Sequence, residues 1–432
     1  MRGLLDYLSE LAEKNSSLEF FLTHERGVTY EWRDTRPFLE KTFEETTLSV
    51  RYLNQKGLCG ISYTLDLSRE GIKSAISQAE ILSRQGIPAI YPELPGEYPQ
   101  LPRGNFSEPS KEALFEILED LRSRLLSERA IKRIEREALS WEEEEVILIR
   151  GGKSLAWSSP LFSFLISLVA ESDKRVASAY AYKSAVSLEK LDLVGLSDDA
   201  CKKAKALSLA EKGSSLRASI LFPPEASLEL LSLLSFSLKG DEVSKGRSFL
   251  KDSLGKKVFS ENLSVIDDGL MPGLPETRPF DDEGIPQRKK VLIREGEVAG
   301  FIWDFYYGKR AGLFSTGNAR RPDPSSPPKV DFTNLYIERG LKTKEELLNS
   351  SGPVFEVLEI LGAHTADPIS GDFSFGVSGI LYEKGEPLRY LCEMGLSGNI
   401  FELFREVEVA KDLTFFGDTG SPSLLVPSMD LG

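Results

Sequence analysis

Residues 379–392 read GILYEKGEPLRYLC, and two β-prone runs in this stretch flank the charged segment EKGE. A short Gly-containing connection between two such runs is typical of a β-hairpin. The same pattern occurs upstream, where REGE separates residues 291–293 from residues 298–303. These two hairpins predict that the second half of the chain is mostly β-sheet, much of it antiparallel.

Towards the N-terminus, the sequence mixes helical and strand patterns. Leucines spaced by three and four positions predict an amphipathic helix at the start of the chain. Residues 19–23 and 28–32 are predicted strands around a turn at Arg26-Gly27. A second hairpin turn is predicted at NQKG, residues 54–57.

The same periodicities predict the remaining elements. Predicted helices lie near residues 68–85, 108–128 (with Ser107 as the cap), 197–210, 224–239, 343–350 and 397–406. Further strands are predicted at residues 146–149, 154–157, 161–170, 176–182 and 216–222. Helices and strands in this order predict an α+β fold.

A chain of 432 residues is too long for one ordinary core, so two domains are predicted. Residues 1–215 would place helices on a largely antiparallel sheet. Residues 216–432 would form a strand-rich domain with mixed and antiparallel sheets. Residues 88–109 contain six prolines, which predict an irregular strap across a surface.

Composition excludes several classes of function. The net charge is −14, from 53 basic and 67 acidic residues, which disfavours nucleic acid as a partner. Three widely spaced cysteines predict neither a disulfide framework nor a cysteine metal site, and a reducing cytoplasm fits them best. The apolar runs are too short to span a membrane.

Six strings of the second half follow one another in a characteristic order. They are VIDDG (265–269), PFDDEGIPQ (279–287), STGNARR (315–321), PISGDFSFGVSGILYEKGE (368–386), LSGNIFELF (396–404) and GSPSLLV near the C-terminus. Together they resemble the TldD/PmbA family, and AYAYKSA (179–185) in the first half fits as well. The resemblance covers nearly the whole chain.

The family has two branches, and the resemblance implies different chemistry for each. TldD-like chains carry H-E-x-x-x-H on a helix, then Gly-Asp after three residues, and a cysteine near the C-terminus. These groups bind zinc, and the Glu serves as general base. TldE/PmbA-like chains lack the motif and pair with a TldD-like subunit. The known pair degrades unfolded peptides and matures a peptide antibiotic precursor.

Gly240-Asp241 aligns this chain with the motif. Counting back, the first His position holds Leu231, the Glu position Ser232 and the second His position Phe236. The chain is therefore similar to the TldE/PmbA branch.

The cysteine position, just before GDTG at residues 417–420, holds Phe416. Zinc needs three or four N, S or O ligands, and Leu, Ser and Phe supply none that competes with imidazole or thiolate. Without the metal and the Glu, no water is activated for attack. The resemblance thus implies no catalytic residue and no metal in this chain, with zinc expected in a TldD-like partner.

Two histidines and several carboxylates remain as alternative sites. His24-Glu25 lies in a predicted strand, where a solvated strand-end histidine is expected. His364 lies in a predicted loop, where it could act as a base or ligand. The acidic run 142–145 is interpreted as a solvated face, and the carboxylates at 267–268 and 281–283 as turn and cap groups, since Gly follows each set.

A Gly-Asn loop precedes two adjacent arginines in STGNARR. Asn318, Arg320 and Arg321 could hold a peptide carboxylate or the acids of a partner. A structural salt bridge explains the arginines equally well.

The leading hypothesis is a non-catalytic subunit that packs against a TldD-like zinc subunit and helps to enclose unfolded peptides. The alternative is a stand-alone or homodimeric peptide-binding scaffold without peptidase activity. A third hypothesis is a peptidase with relocated chemistry at His364 or the carboxylate pairs. Some family members are called modulators of DNA gyrase, and the acidic balance implies that such an effect would be indirect.

Overall fold

The computed structural model describes residues 2–33, 36–102, 108–350 and 352–432. Within them, the first half forms a seven-stranded sheet in the order β4-β3-β2-β1-β5-β6-β7, with every neighbouring pair antiparallel. Its strands are β1 (Leu18–Arg33), β2 (Arg36–Leu53), β3 (Leu58–Thr64), β4 (Ile87–Pro88), β5 (Ile131–Arg150), β6 (Lys153–Glu171) and β7 (Val176–Ala185).

Four helices of this half, within the described ranges, complete its two cores. They are α1 (Arg2–Lys14), α2 (Arg69–Ser83), α3 (Lys111–Leu126) and α4 (Leu193–Ser208). Helices α1 and α2 pack around Phe20, Leu22 and Val50. Helices α3 and α4 pack on the far end of the sheet, where Leu114, Leu118, Leu121 and Leu125 of α3 are all buried.

The predicted turn at Arg26-Gly27 is wrong, because β1 runs through it without interruption. Gly27 is required by packing instead. A Cβ there would lie 2.6 Å from the Trp141 carbonyl oxygen and 2.9 Å from the Phe43 ring. A glycine in a strand thus marks the close approach of a neighbour rather than a chain reversal.

Other boundaries in the first half also differ from the predictions. Residues 131–145 are strand, and the strands predicted at 154–157 and 161–170 are parts of the single strand β6. Helix α4 begins four residues before the predicted start, after Asp192, whose side chain accepts from the Gly195 N–H.

Ser107, the predicted cap of α3, lies outside the described residues. Ser110 caps that helix by accepting from the Ala113 N–H. The NQKG turn is confirmed, since Gly57 has a φ of 74° and Asn54 accepts from the Lys56 and Leu58 N–H groups.

The remaining strands, β8 to β22, build the further sheets. These strands are β8 (Glu211–Lys212), β9 (Leu216–Phe222), β10 (Val265–Asp268), β11 (Lys289–Arg294), β12 (Glu297–Val298), β13 (Ala319–Arg320), β14 (Lys329–Val330), β15 (Leu335–Ile337), β16 (Pro353–Leu361), β17 (Asp372–Glu383), β18 (Glu386–Asn399), β19 (Glu408–Val409), β20 (Thr414–Phe415), β21 (Thr419–Ser421) and β22 (Leu424–Leu431). Strand β8 precedes residue 215 but pairs with β18 of the second half.

Two mixed sheets enclose the main core of this half, within the described ranges. One has the order β19-β22-β9-β16-β17-β18-β8, and the other β12-β11-β10-β15-β21-β20. The helices between and beside them are α5 (Pro224–Phe236), α6 (Gly240–Ser244), α7 (Phe305–Arg310), α8 (Lys344–Leu348) and α9 (Ile400–Leu403). The predicted α+β fold, with its mixed and antiparallel sheets, is confirmed.

The hairpin that joins β17 and β18 is confirmed, with Lys384 and Gly385 at φ values of 53° and 79°. The strand predicted at residues 298–303 is largely wrong. Strand β12 ends at Val298, and Ile302 forms only an isolated bridge to Lys239. Every helix within the described ranges is too short or too polar to span a lipid bilayer.

The division at residue 215 stays a prediction, but the two halves make close contact. The proline-rich segment lies between them, where Leu94 packs against Phe21 and Leu148. The Tyr98 hydroxyl donates to the carbonyl oxygen of Gly284 at 3.0 Å. The described part of this segment therefore contacts both halves, and its interpretation as a strap stays a prediction.

Candidate functional site

Helix α5 carries the three positions that match the missing motif. Leu231 is fully buried in the core of the second half, Phe236 is half-buried, and Ser232 is exposed. The Arg247 guanidinium lies over the Phe236 ring, 6.0 Å from its centroid. Helix α5 is therefore held by apolar packing on the side of Leu231. Of the three residues, Ser232 lines a cavity between α5 and the neighbouring strands.

That cavity, here called the motif cavity, has a volume of about 230 Å³. It lies between α5, the β13 strand and the segment around Asp418, two residues beyond Phe416. Its polar lining includes Ser232, Ser235, Glu276, Arg320, Asp331 and Asp418. The fold thus brings Ser232 close to the GDTG segment, although they are far apart in sequence.

These residues do not fit a zinc ion. A zinc site takes imidazole, thiolate or carboxylate ligands at about 2.0–2.3 Å, converging on one point. Among the described residues, no group of three or more His, Cys, Asp or Glu side chains is arranged to hold a metal. Leu231, Ser232, Phe236 and Phe416 supply no such ligand either.

Carboxylates give the motif cavity a negative character. Burial and the nearby charge of Asp331 raise the pKa of Glu276, against the opposing effect of Arg278. Asp418 is open to solvent on one side. Partial burial by the surrounding protein, followed by the charge of Glu276, nevertheless raises its pKa to about 6. Arg320 is the basic residue of this lining and offsets part of that negative charge.

The three residues of the STGNARR loop proposed as contacts lie in different environments. Asn318 is fully buried and donates to the Asp267 carboxylate and to the Asp331 carbonyl oxygen, each at 2.8 Å. The Arg321 side chain is 3% exposed and pairs with Glu19. Arg320 donates to Glu276 at 2.7 Å and is 24% exposed. Of the three, Arg320 remains accessible for a peptide or partner.

A second cavity of about 220 Å³ lies on the other side of Arg320. It is bounded by β1 and β5 of the first half and by the arginines of the second half. Arg320 lines both cavities, so its guanidinium separates them.

The carboxylates at 281–283 form a turn, as predicted, but they are also buried. Asp281 accepts from the N–H groups of Glu283, Ile285 and Ala319. Burial, followed by the charge of Glu283, raises the pKa of Asp281 to about 8. Asp282 pairs with Arg278 at 3.0 Å. This turn therefore places a carboxyl with a raised pKa, Asp281, and an ion pair, Asp282 with Arg278, where the two halves meet.

Asp267 and Asp268 also have structural partners. Asp267 pairs with Lys290 at 2.8 Å and accepts from the N–H and hydroxyl groups of Thr333. Asp268 accepts from the Leu270 N–H at 3.0 Å. Asp268 accepts from an N–H two residues on, as the turn interpretation predicts, whereas Asp267 lies within β10 and forms a buried ion pair, so the turn and cap interpretation is wrong for Asp267.

Asp304 provides a test of this buried acidic region. Asp304 is 4% exposed. Burial, followed by the charge of Glu283, raises its pKa to about 7. The charge of Asp241 raises this pKa further, whereas the Tyr307 N–H and the charge of Arg51 lower it. A carboxyl whose pKa is raised on folding contributes to the stability of the folded state. This contribution is complete below the unfolded pKa near 4, and it is lost as the pH rises through 7.

Asp304→Asn keeps the acceptor that caps α7 but cannot ionise. Between pH 5 and pH 8, we expect the free energy of unfolding of the variant to rise by about 1–3 kcal/mol relative to that of the native chain. Thermal unfolding at the two pH values measures this gain. Asp6→Asn, on the exposed side of α1, is the matched control and should show no such trend. A pH-independent difference for Asp304→Asn would contradict the assignment.

Neither histidine lines either cavity. His24 lies within β1 rather than at its end, and Nδ1 is 2.9 Å from the Thr46 hydroxyl. His364 is exposed in a short 3₁₀ turn after β16. In the acidic run, Glu142 and Glu144 are exposed, as predicted, although the run lies within β5.

Sequence reasoning missed one group, a buried cluster centred on Glu19. Its carboxylate is fully buried and pairs with Arg51, Arg150 and Arg321. The available signal was a charged residue at the start of an otherwise apolar strand, LEFFL. That signal cannot indicate which distant cations complete the cluster.

Comparisons with known proteins agree with this fold. Residues 104–208 match the PmbA/TldA metallopeptidase central domain, and residues 215–432 match the PmbA/TldA metallopeptidase C-terminal domain. A metalloprotease of Archaeoglobus fulgidus is 33% identical over 198 residues, 45% of each chain. Metalloprotease PmbA of Escherichia coli O157:H7 is 26% identical over 285 residues, 65% of this chain and 60% of the relative.

A Methanocaldococcus jannaschii protein is 33% identical over 227 residues, 51% of this chain and 53% of its own. The chain thus spans about half the length of the curated relatives it matches.

Two solved structures share the fold over essentially the full length. TldE from Thermococcus kodakarensis superposes with a TM-score of 0.89 at 24% identity, covering 99% of this chain and 100% of that one. A Thermotoga maritima protein described as a putative modulator of a DNA gyrase superposes with a TM-score of 0.90 at 22% sequence identity, covering 100% of both chains. Because one domain model alone matches half of the sequence, residues 215–432, the chain belongs to the PmbA/TldD metallopeptidase family.

Proposed function

We propose that this chain is a non-catalytic, TldE/PmbA-like subunit of a heteromeric zinc peptidase that acts on unfolded peptides. The observation that carries the proposal is the motif cavity, where Leu231 is withdrawn into the core and Ser232 offers only a hydroxyl. Zinc would then be held by a TldD-like partner. A metal-bound water and its base would also lie in that partner.

The chain would contribute binding surface to the shared peptide chamber. Strand β7 ends the N-terminal sheet in the described part of the chain and carries exposed Val176, Tyr180 and Tyr182. A sheet edge of this kind can pair with an extended segment through main-chain hydrogen bonds, which tolerate many sequences. Arg320, between the two cavities, is the proposed contact for a peptide carboxylate or a partner's acid.

Zinc content and cleavage test the proposal together. The chain purified alone is expected to hold close to no zinc after dialysis against metal-free buffer, and to leave an unfolded casein substrate intact. Mixing it with a TldD-like subunit should give a heteromer that contains zinc and cleaves casein. The mass of each species in solution separates a heteromer from a homodimer.

Two results would contradict the proposal. Zinc near one per chain in the isolated protein would mean that other ligands exist. A zinc-free homodimer that ignores every TldD-like subunit would favour the scaffold alternative. In the heteromer, His364→Ala should leave the cleavage rate unchanged, since His364 is exposed and lines neither cavity. A large loss there would favour relocated chemistry.

A further inference from the structure

The segment that follows α7, here called the α7 loop, comprises residues 309–314 with the sequence KRAGLF. All six residues are exposed, and Leu313 and Phe314 reach 51% and 90% exposure. An aromatic side chain at this exposure contributes almost nothing to the core of its own chain. Adjacent apolar residues of this size on a surface are candidates for contact with another molecule.

Hydrogen bonds fix the backbone before Phe314. The Leu313 N–H donates to the Gly308 carbonyl oxygen at 2.8 Å, and the Gly312 N–H donates to that of Lys309 at 3.2 Å. With Gly312 at a φ of 73°, these bonds form a Schellman motif, which ends a helix in one defined geometry. The end of α7 therefore sets the backbone of the loop.

The backbone after Phe314 is also fixed. The Ser315 hydroxyl and the Thr316 N–H both donate to the Trp303 carbonyl oxygen, at 3.1 Å and 3.0 Å. Ser315 is the first residue of STGNARR, so the loop leads directly into the segment that carries Arg320. A fixed backbone lowers the entropy that is lost when another surface covers Phe314, and this favours binding.

The start of the loop carries two cations that lack a carboxylate partner. Within the part of the chain that the structure describes, Lys309 and Arg310 contact aromatic rings of α7 but form no ion pair. The Arg310 guanidinium also donates to the Tyr306 hydroxyl at 2.8 Å. On a chain with a net charge of −14, the loop is therefore a local positive patch beside an exposed aromatic ring.

This combination fits a protein partner whose apolar pocket is bordered by carboxylates. A second copy of this chain fits less well, because a two-fold contact centred on the loop would bring Lys309 and Arg310 of both copies together. An anionic membrane also fits less well, because two basic and two apolar residues are too few for stable anchoring. The observations therefore favour a different protein subunit.

We propose that the α7 loop docks onto the TldD-like subunit. Phe314 would fill an apolar pocket of that subunit, and Lys309 and Arg310 would lie beside its carboxylates. This assignment rests on the proposed function and adds a surface through which the heteromer forms.

Phe314→Ala tests the aromatic contact. We expect it to weaken binding to the TldD-like subunit about 30-fold, as for an aromatic residue at the centre of an interface. Its melting temperature should not change, since Phe314 is 90% exposed. Leu341→Ala, at a residue that is 95% exposed between β15 and α8, is the matched control and should keep the native affinity. Biolayer interferometry on the immobilised TldD-like subunit measures each affinity.

Lys309→Gln/Arg310→Gln tests the charges separately. We expect about fivefold weaker binding at low ionic strength, and an affinity equal to that of the native chain at high ionic strength, because salt screens exposed charges. Lys73→Gln/Arg84→Gln removes two exposed cations at α2 and should bind as the native chain does at both ionic strengths. Equal binding of the loop variant and the native chain at low ionic strength would overturn the role of the charges.

The outcomes separate this assignment from the proposed function. Native affinity of Phe314→Ala for the TldD-like subunit would overturn the docking assignment and leave the heteromer in place. Failure of the native chain to bind any TldD-like subunit would overturn both proposals. Suppose instead that Phe314→Ala abolishes a homodimer, or binding to phosphatidylserine vesicles, and leaves the affinity for the TldD-like subunit unchanged. That result would assign the loop to a second copy or to a membrane and overturn the choice of partner.

Discussion

Glu19→Gln is expected to destabilise the folded chain by about 3–5 kcal/mol, because it leaves three buried guanidiniums without their carboxylate. The Glu19 oxygens lie 2.9 Å from Arg51 Nη1 and 2.5 Å from Arg150 Nη1 and Arg321 Nη2. Arg321 belongs to the second half, so the loss should also weaken the contact between the halves. Thermal unfolding by circular dichroism, with scans that are reversible, measures the change.

The same cluster predicts an acid-sensitive step. Burial alone would raise the pKa of Glu19, but the charges of Arg51, Arg321 and Arg150 outweigh it and lower the pKa to about 2. A carboxyl whose pKa is lowered on folding stabilises the folded state above its unfolded pKa near 4.3. This contribution is lost as the pH falls towards 2. The stability difference between native chain and Glu19→Gln should therefore shrink between pH 5 and pH 2.

Glu116→Gln provides the control for this experiment, since Glu116 is exposed on α3. It should change stability by less than about 0.5 kcal/mol at any pH. A Glu19→Gln variant that melts with the native protein at pH 7 would contradict the cluster as a source of stability.

Gly284→Ala is expected to destabilise the chain by about 2–4 kcal/mol, through backbone strain and steric overlap together. Gly284 has a φ of 79°, which side chains rarely adopt. A Cβ there would also lie 2.4 Å from Leu94 Cδ2 and 2.9 Å from Leu148 Cδ2. Chemical denaturation followed by tryptophan fluorescence measures the loss.

Gly57→Ala separates the two causes. Gly57 has a similar φ of 74°, but a Cβ there would meet no atom within 4 Å. We expect it to cost about 1 kcal/mol, the strain alone. If Gly284→Ala costs no more than Gly57→Ala, then the packing of the PFDDEG turn against the first half is not tight.

Local patterns predicted most elements of the fold. The helix at α3, the NQKG turn and the EKGE hairpin depend on neighbours a few residues away, and each was confirmed. The largest errors concern long strands. Arg26-Gly27 has the composition of a turn, but contacts with Trp141 and Phe43 on the neighbouring strands keep it extended.

The candidate site was predictable only in part. The Gly-Asp pair at 240–241 sets the register of the motif, so the absence of its ligand residues can be read from the sequence. That Leu231 lies in the core while Ser232 faces a cavity depends on which side of α5 the two sheets cover. Spacing within one helix cannot determine this.

The sequence by itself therefore determined the α+β class, the family resemblance and the chemistry that the motif positions lack. Only the tertiary structure decided which charges meet. Glu19 and Arg321 are 302 residues apart, and Glu25 and Glu144 become neighbours only when β1 pairs with β5. Periodicity reports the short-range preferences of the backbone, whereas burial and ion pairing depend on surfaces that distant segments bring together.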